Sequence, residues 1–424
     1  MSVDVRGGKV YHGGRLVDAD LHVEDGVVQR VGDVDEDADD VVDADGCVVL
    51  PGCVDVHVHF REPGHPHKET WATGSRSAAA GGVTTVVDQP NTDPPTVDGR
   101  GFDLKAEAAR RSVVDYGLNG GVTSDWRPDE LFERPVAAVG EVFMADSTGE
   151  MGVDVETFED AVRLLQDEGY LVTVHAEDSR LFEDVRLRSA DDWSRHRPPA
   201  AEVAAVERAI EAADEPLHFA HLSHPDSVAA VERTRHTCEV TPHHLLLSRD
   251  DLDGLGTLGK MNPPLRSEEA RREMWHLFER GVVDCVATDH APHTLEEKQT
   301  SVEKAPSGVP GVETMLPLLL ERVRSTGLSL DRVVTATSLA PAEIYGFGSK
   351  RGLKQGEDAD VVVVDLEETE TLRATSLHSR CDWTPFEGRE VVRPRAVLRR
   401  GEVVYRDGDF PVEAGGRNVI ENPE

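Results

Sequence analysis

Hydrophobic and polar positions alternate in short stretches at both ends of the chain. The first 50 residues contain such stretches separated by glycine turns, as in KVYHGGRLVDADLHVEDGVVQRVG at 9–32, and residues 346–424 have the same texture. An alternation of period two is typical of strands that bury one face. The segments 1–50 and 346–424 therefore predict one small β-sandwich domain built from both chain ends.

The pattern changes between residues 51 and 345. Apolar β-branched runs recur there and alternate with stretches rich in Ala, Glu and Arg, such as AAEVAAVERAIEAA at 200–213. Strands are expected to begin near Val54, Val83, Val113, Val136, Leu171, Leu217, Thr237 and Val283. Strands that alternate with helices form parallel βα units, and eight units close into a barrel. Residues 51–345 are therefore predicted to be a (β/α)8 barrel, which makes the chain an α/β protein.

The charge balance limits the partners that the chain can have. Asp and Glu number 81 against 45 Lys and Arg, which gives a formal net charge of −36. Such a surface repels nucleic acid and anionic membranes. Self-repulsion that keeps a protein soluble would explain this composition, and so would a halophilic cytoplasm, where molar salt screens charges beyond about 3 Å. We favour the halophilic explanation.

Cysteine usage and the N-terminus favour the cytoplasm. The five cysteines are scattered, odd in number and never spaced as CxxC, which suits a reducing compartment and excludes a thiolate zinc site. The N-terminus MSVDVRGGKV lacks the apolar run of a signal peptide, and no stretch reaches the roughly 18 apolar residues of a membrane helix. A cytoplasmic enzyme is the expectation.

Polar residues occur near the ends of several predicted barrel strands, where barrel enzymes place their catalytic groups. In the first strand, VDVHVHF at 54–60, His57 and His59 are two positions apart and therefore project from the same face. The residues in comparable positions of later strands are Glu141, His175, His221 and Asp289. We expect these four histidines and two carboxylates to meet at one mouth of the barrel.

This set of side chains suits two divalent metal ions. Neutral imidazole is a preferred ligand of Zn²⁺, and a carboxylate can bridge two cations. The predicted grouping is His57, His59 and Asp289 on one ion, His175 and His221 on the other, and Glu141 between them. Two such ions lower the proton affinity of water enough to give a nucleophile near neutral pH. Each histidine alone is more simply explained as a structural residue, so the hypothesis rests on the cluster.

Several longer motifs resemble the cyclic amidohydrolases of the amidohydrolase superfamily. They are PGCVDVHVHFREPG at 51–64, DQPNTDPPT at 88–96, HAE at 175–177, TPHHLLLS at 241–248, MNPPLR at 261–266, ATDHAPHTLEEK at 287–298 and WTPFEG at 383–388. The resemblance extends from about Gly46 to Gly388. Within the superfamily, the motifs are most similar to those of the members that act on dihydroorotate.

The resemblance implies the reversible cyclisation of N-carbamoyl-L-aspartate to (S)-dihydroorotate and water, a step of pyrimidine synthesis. It implies that two Zn²⁺ ions per subunit bind to His57, His59, His175, His221 and Asp289, and that Asp289 is also the general acid/base. The substrate-binding residues that it implies are His59, Arg61, Asn91, Asn262, His293, Ser307 and Gly308.

Arg61 has a physical reason to contact this substrate. The substrate carries a free carboxylate, and Arg61 lies two residues beyond His59 on the same face of the chain. A salt bridge from Arg61 to Glu62 or another acid at the rim is the alternative explanation. For Asn91 and Asn262 the alternative is turn chemistry, because asparagine before Thr-Asp-Pro or Pro-Pro suits a loop by itself.

Glu141 departs from the commonest patterns of the family. Many relatives bridge their metals with a carboxylated lysine and others with an aspartate, whereas no lysine lies between Lys105 and Lys260 here. A glutamate supplies the same carboxylate at greater reach. Asp146, five residues on, is the alternative bridging residue.

Other functions remain in competition. Allantoinase and dihydropyrimidinase would share the metal ligands, but a cyclic diamide without a carboxylate has no use for Arg61. A non-catalytic relative that uses the barrel for assembly would be expected to have lost ligands. Metal identity stays open, as do formation of a homodimer and association with an aspartate carbamoyltransferase.

Overall fold

Strands fill both ends of the chain and alternate with helices between them in the computed structural model, which describes residues 2–34, 38–145 and 151–420. The N-terminal strands are β1 (Ser2–Arg6), β2 (Lys9–His12), β3 (Arg15–Asp18), β4 (Asp20–Glu24), β5 (Val27–Gly32), β6 (Asp40–Asp43) and β7 (Val48–Pro51). The middle strands are β8 (Cys53–Val58), β9 (Val83–Asp88), β10 (Asp115–Leu118), β11 (Val139–Met144), β12 (Gly152–Val153), β13 (Val172–Ala176), β14 (Leu217–Phe219), β15 (Thr237–Val240) and β16 (Cys285–Val286). The C-terminal strands are β17 (Val361–Val364), β18 (Glu370–Thr371), β19 (Glu390–Val391), β20 (Pro394–Arg399) and β21 (Glu402–Arg406).

Helices follow most of the middle strands. They are α1 (Trp71–Ala80), α2 (Gly99–Ala109), α3 (Pro128–Phe132), α4 (Val155–Asp167), α5 (Ala190–His196), α6 (Pro199–Ala212), α7 (Pro225–Glu232), α8 (Pro242–Leu246), α9 (Leu252–Leu255), α10 (Glu268–Glu279), α11 (Leu295–Lys298), α12 (Met315–Thr326), α13 (Leu330–Val334) and α14 (Ala340–Ile344). Side-chain caps fix where several begin: Asp98 accepts from the N–H of Gly101 at α2, and Asp154 from that of Thr157 at α4. Within the described residues, no helix combines the length and apolar character needed to cross a bilayer.

The middle strands form the ring of a (β/α)8 barrel. Strands β8, β9 and β10 pair in parallel, and so do β11, β13, β14, β15 and β16. Two isolated parallel bridges, Gly120–Val139 and Val58–His290, link these two groups at both edges. Both β8 and β9 are buried along their whole length, as expected where helices cover a parallel sheet. The barrel predicted from the alternating pattern is confirmed, and its strands begin within a few residues of the predicted positions.

The terminal strands form two further sheets. One has the order β5–β4–β1–β6, and the other has the order β21–β20–β17–β7–β2–β3. Apolar residues from both sheets, including Val5, Val23, Val49, Val363 and Leu398, pack in one buried cluster between them. This is the predicted small sandwich contributed by both chain ends. The division of the chain at residues 50 and 345 stays a prediction.

A buried lysine joins the barrel to the segment that returns to the sandwich. Lys350 Nζ lies 2.6 Å from Asp115 Oδ2, at the amino end of β10, and 2.8 Å from Asp360 Oδ2, directly before β17. Lys350 is 6% exposed, so these charges depend on one another for compensation.

Replacement of Lys350 by methionine should therefore destabilise the protein. The variant leaves the buried carboxylate of Asp360 without its cation and leaves Asp115 with Arg400 alone, and we expect the free energy of unfolding to fall by about 3–5 kcal/mol. Denaturant unfolding of Lys350→Met and wild type would measure the difference. Lys354→Met, at an exposed lysine, is the control and should stay within about 0.5 kcal/mol of wild type. Equal stability of both variants would show that the buried ion pairs contribute little.

Candidate metal centre

The carboxyl ends of the barrel strands bring the predicted metal-binding residues together. His57 lies in β8, Glu141 in β11 and His175 in β13, whereas His59, His221 and Asp289 follow β8, β14 and β16. All six side chains are buried or nearly so. Candidate ligand atoms of His57, His59 and Glu141 form one close group, and those of Glu141, His175 and His221 form a second. Glu141 is common to both groups.

The two oxygens of Glu141 face different histidines. Oε1 lies 2.8 Å from Nδ1 of His175 and 2.5 Å from Nε2 of His221. Oε2 faces the other side, 3.4 Å from Nε2 of His57. A carboxylate with one oxygen directed at each ligand set has the geometry needed to bridge two cations. The alternative bridging residue, Asp146, lies outside the described residues.

Buried acids behind the histidines fix which ring nitrogen faces the centre. Glu239 of β15 accepts a hydrogen bond of 2.7 Å from His57 Nδ1, so His57 Nε2 is left for a metal. Glu177 lies 3.0 Å from His175 Nε2, which leaves Nδ1 on the side of Glu141. Among the described residues, His57 Nε2 and His221 Nδ1 are buried without a hydrogen-bond partner. Histidine nitrogens and carboxylates arranged in this way fit divalent metal ions.

The electrostatics of the cluster favour positive charge at its centre. Burial raises the pKa of Glu141, but the charges of His57 and His221 outweigh it and hold that pKa well below its ordinary value. Burial lowers the pKa of His175, but hydrogen bonds to Glu141 and Glu177 raise it to about 10. Carboxylates that raise the pKa of a buried imidazole stabilise positive charge at that place. A divalent metal supplies that charge while the imidazoles stay neutral.

Asp289 is ionised beside the cluster. Burial raises the pKa of Asp289, but the hydrogen bond from His59 and the charge of His57 lower it to about 2. Oδ1 of Asp289 lies 3.0 Å from His59 Nε2 and 3.6 Å from His57 Nε2. An ionised carboxylate in this place can bind a metal and can also accept a proton.

A cavity opens above these residues. Ten of the predicted site residues line it: His59, Arg61, Asn91, Glu141, His175, His221, Asn262, Asp289, Ser307 and Gly308. His293 lines an adjoining recess together with Arg61, Asn262 and Ser307. The structure therefore brings together the residues that the sequence suggested for metal and substrate.

Arg61 does not form the salt bridge to Glu62 that was the alternative explanation for it. Glu62 instead pairs with Arg111, at 2.5 Å. The guanidinium of Arg61 donates to the carbonyl of Pro292 at 3.3 Å and lies 3.2 Å from Nε2 of His293. Arg61 is only 8% exposed and forms no salt bridge with any carboxylate of the described residues. It is a buried cation without a salt-bridge partner among the described residues, although the charge of nearby carboxylates such as Asp289 acts on it.

Hydrogen bonds to protein groups orient the side chains of Asn91, Asn262 and His293. Asn91 Oδ1 lies 2.7 Å from His59 Nδ1, and Asn262 Oδ1 accepts from Trp193 Nε1 at 3.1 Å. His293 Nε2 lies 2.9 Å from the carbonyl oxygen of Ser307. Burial and the charge of Arg61 hold the pKa of His293 well below its ordinary value, so its imidazole is neutral.

Sequence reasoning missed the residues that orient the ligands. Glu239 binds both His57 and His218, and its Oε1 also accepts from the N–H of His221 at 3.0 Å. Gln89 accepts from the N–H of Glu141 at 3.1 Å. A glutamate within the buried strand TCEV at 237–240 is a detectable anomaly, since a lone buried carboxylate needs a partner. Its partner lies far away in the sequence.

We expect Glu239→Gln to weaken metal binding. The amide cannot hold the Nδ1 proton of His57 as a carboxylate does, so His57 loses its preferred tautomer and orientation. Metal affinity should fall about 10- to 100-fold, as measured by titration with a chelator that competes for the ion. Glu215→Gln, at an exposed glutamate, is the control. Wild-type affinity in Glu239→Gln would mean that the strand alone positions His57.

Comparisons with known proteins agree with this geometry. A dihydroorotase of Halobacterium salinarum is 55% identical over 88% of this chain and 89% of its own. A dihydroorotase of Methanosarcina acetivorans is 41% identical over 99% of this chain and 95% of its own. Among solved structures, the L-hydantoinase (dihydropyrimidinase) of Arthrobacter aurescens superposes with a TM-score of 0.93 at 29% identity, covering 98% of both chains.

The match extends to the family level. The model of the amidohydrolase family matches residues 48–404, a range that runs from the last strand before the barrel to the final strand of the sandwich. That range includes every residue of the cluster around Glu141. With this match, the relatives above and a barrel whose strand ends carry the ligand set, the chain belongs to the amidohydrolase family.

Proposed function

We propose that the chain is a dihydroorotase, which interconverts N-carbamoyl-L-aspartate and (S)-dihydroorotate plus water. The observation that carries this proposal is Arg61, a buried guanidinium in the wall of the metal-site cavity with no carboxylate partner among the described residues. An unpaired buried cation is costly, so a substrate that brings a carboxylate is the natural complement. Dihydroorotate carries such a carboxylate beside its cyclic amide.

Two divalent ions, with zinc as the proposed metal, are the cofactors. His57, His59 and Asp289 would hold one ion, His175 and His221 the other, with Glu141 shared between them. Ions held by these residues would supply Lewis-acid polarisation of the ring amide carbonyl and would lower the pKa of bound water toward neutrality. Imidazole-rich sites with a bridging carboxylate suit Zn²⁺.

Asp289 is the proposed general acid/base. In ring opening, its ionised carboxylate accepts a proton from the attacking water and passes it to the ring nitrogen as the carbon–nitrogen bond breaks. In cyclisation, Asp289 takes that proton from the ureido nitrogen as the bond forms and returns it to the departing oxygen. The hydrogen bond from His59 keeps the carboxylate ionised and directed at the cavity.

Residues of the cavity wall would orient the substrate. Arg61 would pair with the carboxylate, Asn91 would supply a further hydrogen bond to it, and His293 would contact the substrate from the adjoining recess. Asn262 and the backbone of Ser307 and Gly308 line the cavity and would contact the ring. Fixing the ring in this way aligns its reactive carbonyl with the metals.

Hydantoinase or allantoinase activity is the main alternative. These enzymes would use the same metal residues, and the Arthrobacter structure shows how closely such a fold can match. Their cyclic diamides bring no carboxylate to Arg61, which would then stay buried and uncompensated. A non-catalytic role is less consistent with six complete candidate ligands.

A cytoplasmic, halophilic setting is proposed for the enzyme. The five cysteines are free and buried, as suits a reducing compartment. The net charge of −36 suits molar salt, and one of the relatives comes from Halobacterium.

Removal of the Arg61 guanidinium should separate charged from uncharged substrates. We expect Arg61→Met to raise the KM for dihydroorotate by about 10- to 100-fold, because a hydrogen-bonded charge contact is worth roughly 1.5–3 kcal/mol. Loss of ultraviolet absorbance on ring opening, recorded in molar KCl, measures the rate. Hydantoin and allantoin serve as controls without a carboxylate. The proposal would be contradicted if the wild-type enzyme hydrolysed hydantoin or allantoin but did not hydrolyse dihydroorotate.

Metal removal and Glu141→Ala test the centre itself. Chelation should abolish dihydroorotate hydrolysis, and added Zn²⁺ should restore it. Glu141→Ala should lose about half of its bound metal and at least about 100-fold in kcat, because both ligand sets share this carboxylate. Metal content by mass spectrometry and steady-state rates give the two readouts. Full activity in Glu141→Ala would refute the bridge without refuting the function.

A further inference from the structure

Lys298 is a buried ammonium group beside the cavity that the proposed mechanism does not use. It ends α11, directly after the loop that carries Asp289 and His293, and its side chain is fully buried. Its Nζ donates to three carbonyl oxygens: Lys260 at 2.9 Å, Pro306 at 3.0 Å and Gly308 at 3.0 Å. All three N–H bonds of the ammonium are thus satisfied by backbone.

Burial of this charge lowers the free energy of unfolding. Within the described part of the chain, Lys298 forms no salt bridge with a carboxylate. Burial and the positive charges of Lys260 and Arg61 lower the pKa of Lys298, and the three carbonyl acceptors around Nζ favour its charged form. A methionine or leucine would fill the same space without burying a charge. The lysine is therefore best explained by what its three hydrogen bonds hold in place.

The hydrogen bonds of Lys298 and its neighbours hold the backbone on both sides of Ser307 in place. The carbonyl of Pro306 accepts from Lys298, and that of Ser307 from His293. The N–H of Gly308 donates to the carbonyl of Lys260 at 3.0 Å. Among the described residues, no acceptor is bonded to the N–H of Ser307. This donor belongs to the same planar peptide as the Pro306 carbonyl and therefore points away from Lys298.

Two further features keep this segment in one conformation. Lys260 Nζ donates to the carbonyls of Val302 and Ala305, both at 2.7 Å, so a second lysine fixes the start of the same loop. Gly308 has φ of +128°, and a Cβ there would lie 2.6 Å from the carbonyl oxygen of Ala291. The backbone at Ser307 and Gly308 is thus packed into the cavity wall.

We infer that Lys298 is a positioning residue that binds the Pro306 carbonyl and thereby turns the N–H of Ser307 toward the cavity, where it donates to a carbonyl oxygen of the bound ring. This inference rests on the proposed function and deepens it. Lysine is required because one ammonium offers three donors that diverge toward three loops, whereas the planar guanidinium of arginine cannot.

The test compares Lys298→Met with wild type in two assays. Loss of one neutral substrate hydrogen bond should raise the KM for dihydroorotate about 3- to 10-fold, with bound metal unchanged and kcat reduced less than the KM is raised. In hydrogen exchange with mass spectrometry, peptides covering residues 299–310 should exchange about 10-fold faster. Saturating dihydroorotate should protect the Ser307 amide in wild type but not in the variant.

Two more variants make the result decisive. Lys350→Met removes a buried lysine from the opposite end of the barrel, so it should lower stability while leaving both the KM and exchange in 299–310 as in wild type. Lys298→Gln keeps two N–H donors and should have an intermediate KM. If Lys298→Met does not fold or loses its metal, the KM of Lys298→Gln decides in its place.

A KM within twofold of wild type, in a metal-loaded variant whose loop exchanges as wild type does, would overturn the inference. A raised KM for Lys350→Met of equal size would also overturn it, because general destabilisation would then be sufficient. If wild type does not turn over dihydroorotate, the proposed function fails. The exchange of residues 299–310 in Lys298→Met against Lys350→Met then decides the inference about the loop alone.

Discussion

The carboxylate of Glu141 lies at the centre of the barrel mouth. Because this charge is buried, the groups around it must supply positive charge or hydrogen-bond donors. It is 3% exposed, and three other buried acids, Glu177, Glu239 and Asp289, lie within two contacts of it. Four carboxylates removed from water would be strongly destabilising without cations between them. The imidazoles of His57, His175 and His221 occupy that space, and divalent ions would complete the charge balance.

The barrel makes this arrangement rigid. His57 is fixed twice, by the backbone of β8 and by Glu239, which reaches it from β15 on another part of the ring. His175 is fixed by β13 and by Glu177, whose charge is balanced by the guanidinium of Arg197. These two candidate ligands thus depend on packed strands, which is how a site keeps metals at a fixed spacing.

The side of the cavity opposite the carboxylates carries positive charge, in contrast to the outer surface. A chain with a net charge of −36 places Arg61 in the cavity wall and Lys298 behind the lining residue Gly308, and neither forms a salt bridge with a carboxylate of the described residues. The acidic exterior gives an anionic substrate little long-range attraction at low salt. Recognition must therefore occur at short range, where desolvation makes each contact with a guanidinium or an oriented N–H stronger.

The sequence by itself determined the barrel, the terminal sandwich and the set of candidate ligand residues, because these follow from local patterns. Period two places His57 and His59 on one face, and the strand-end rule selects His175, His221 and Asp289. Tertiary structure alone decided that the oxygens of Glu141 divide between two histidine sets. It also paired Glu239 with His57, 182 residues away, and placed the carbonyl of Lys260 on Lys298, 38 residues away. Contacts between residues so distant in sequence depend on how the strands close into a ring, which no local pattern encodes.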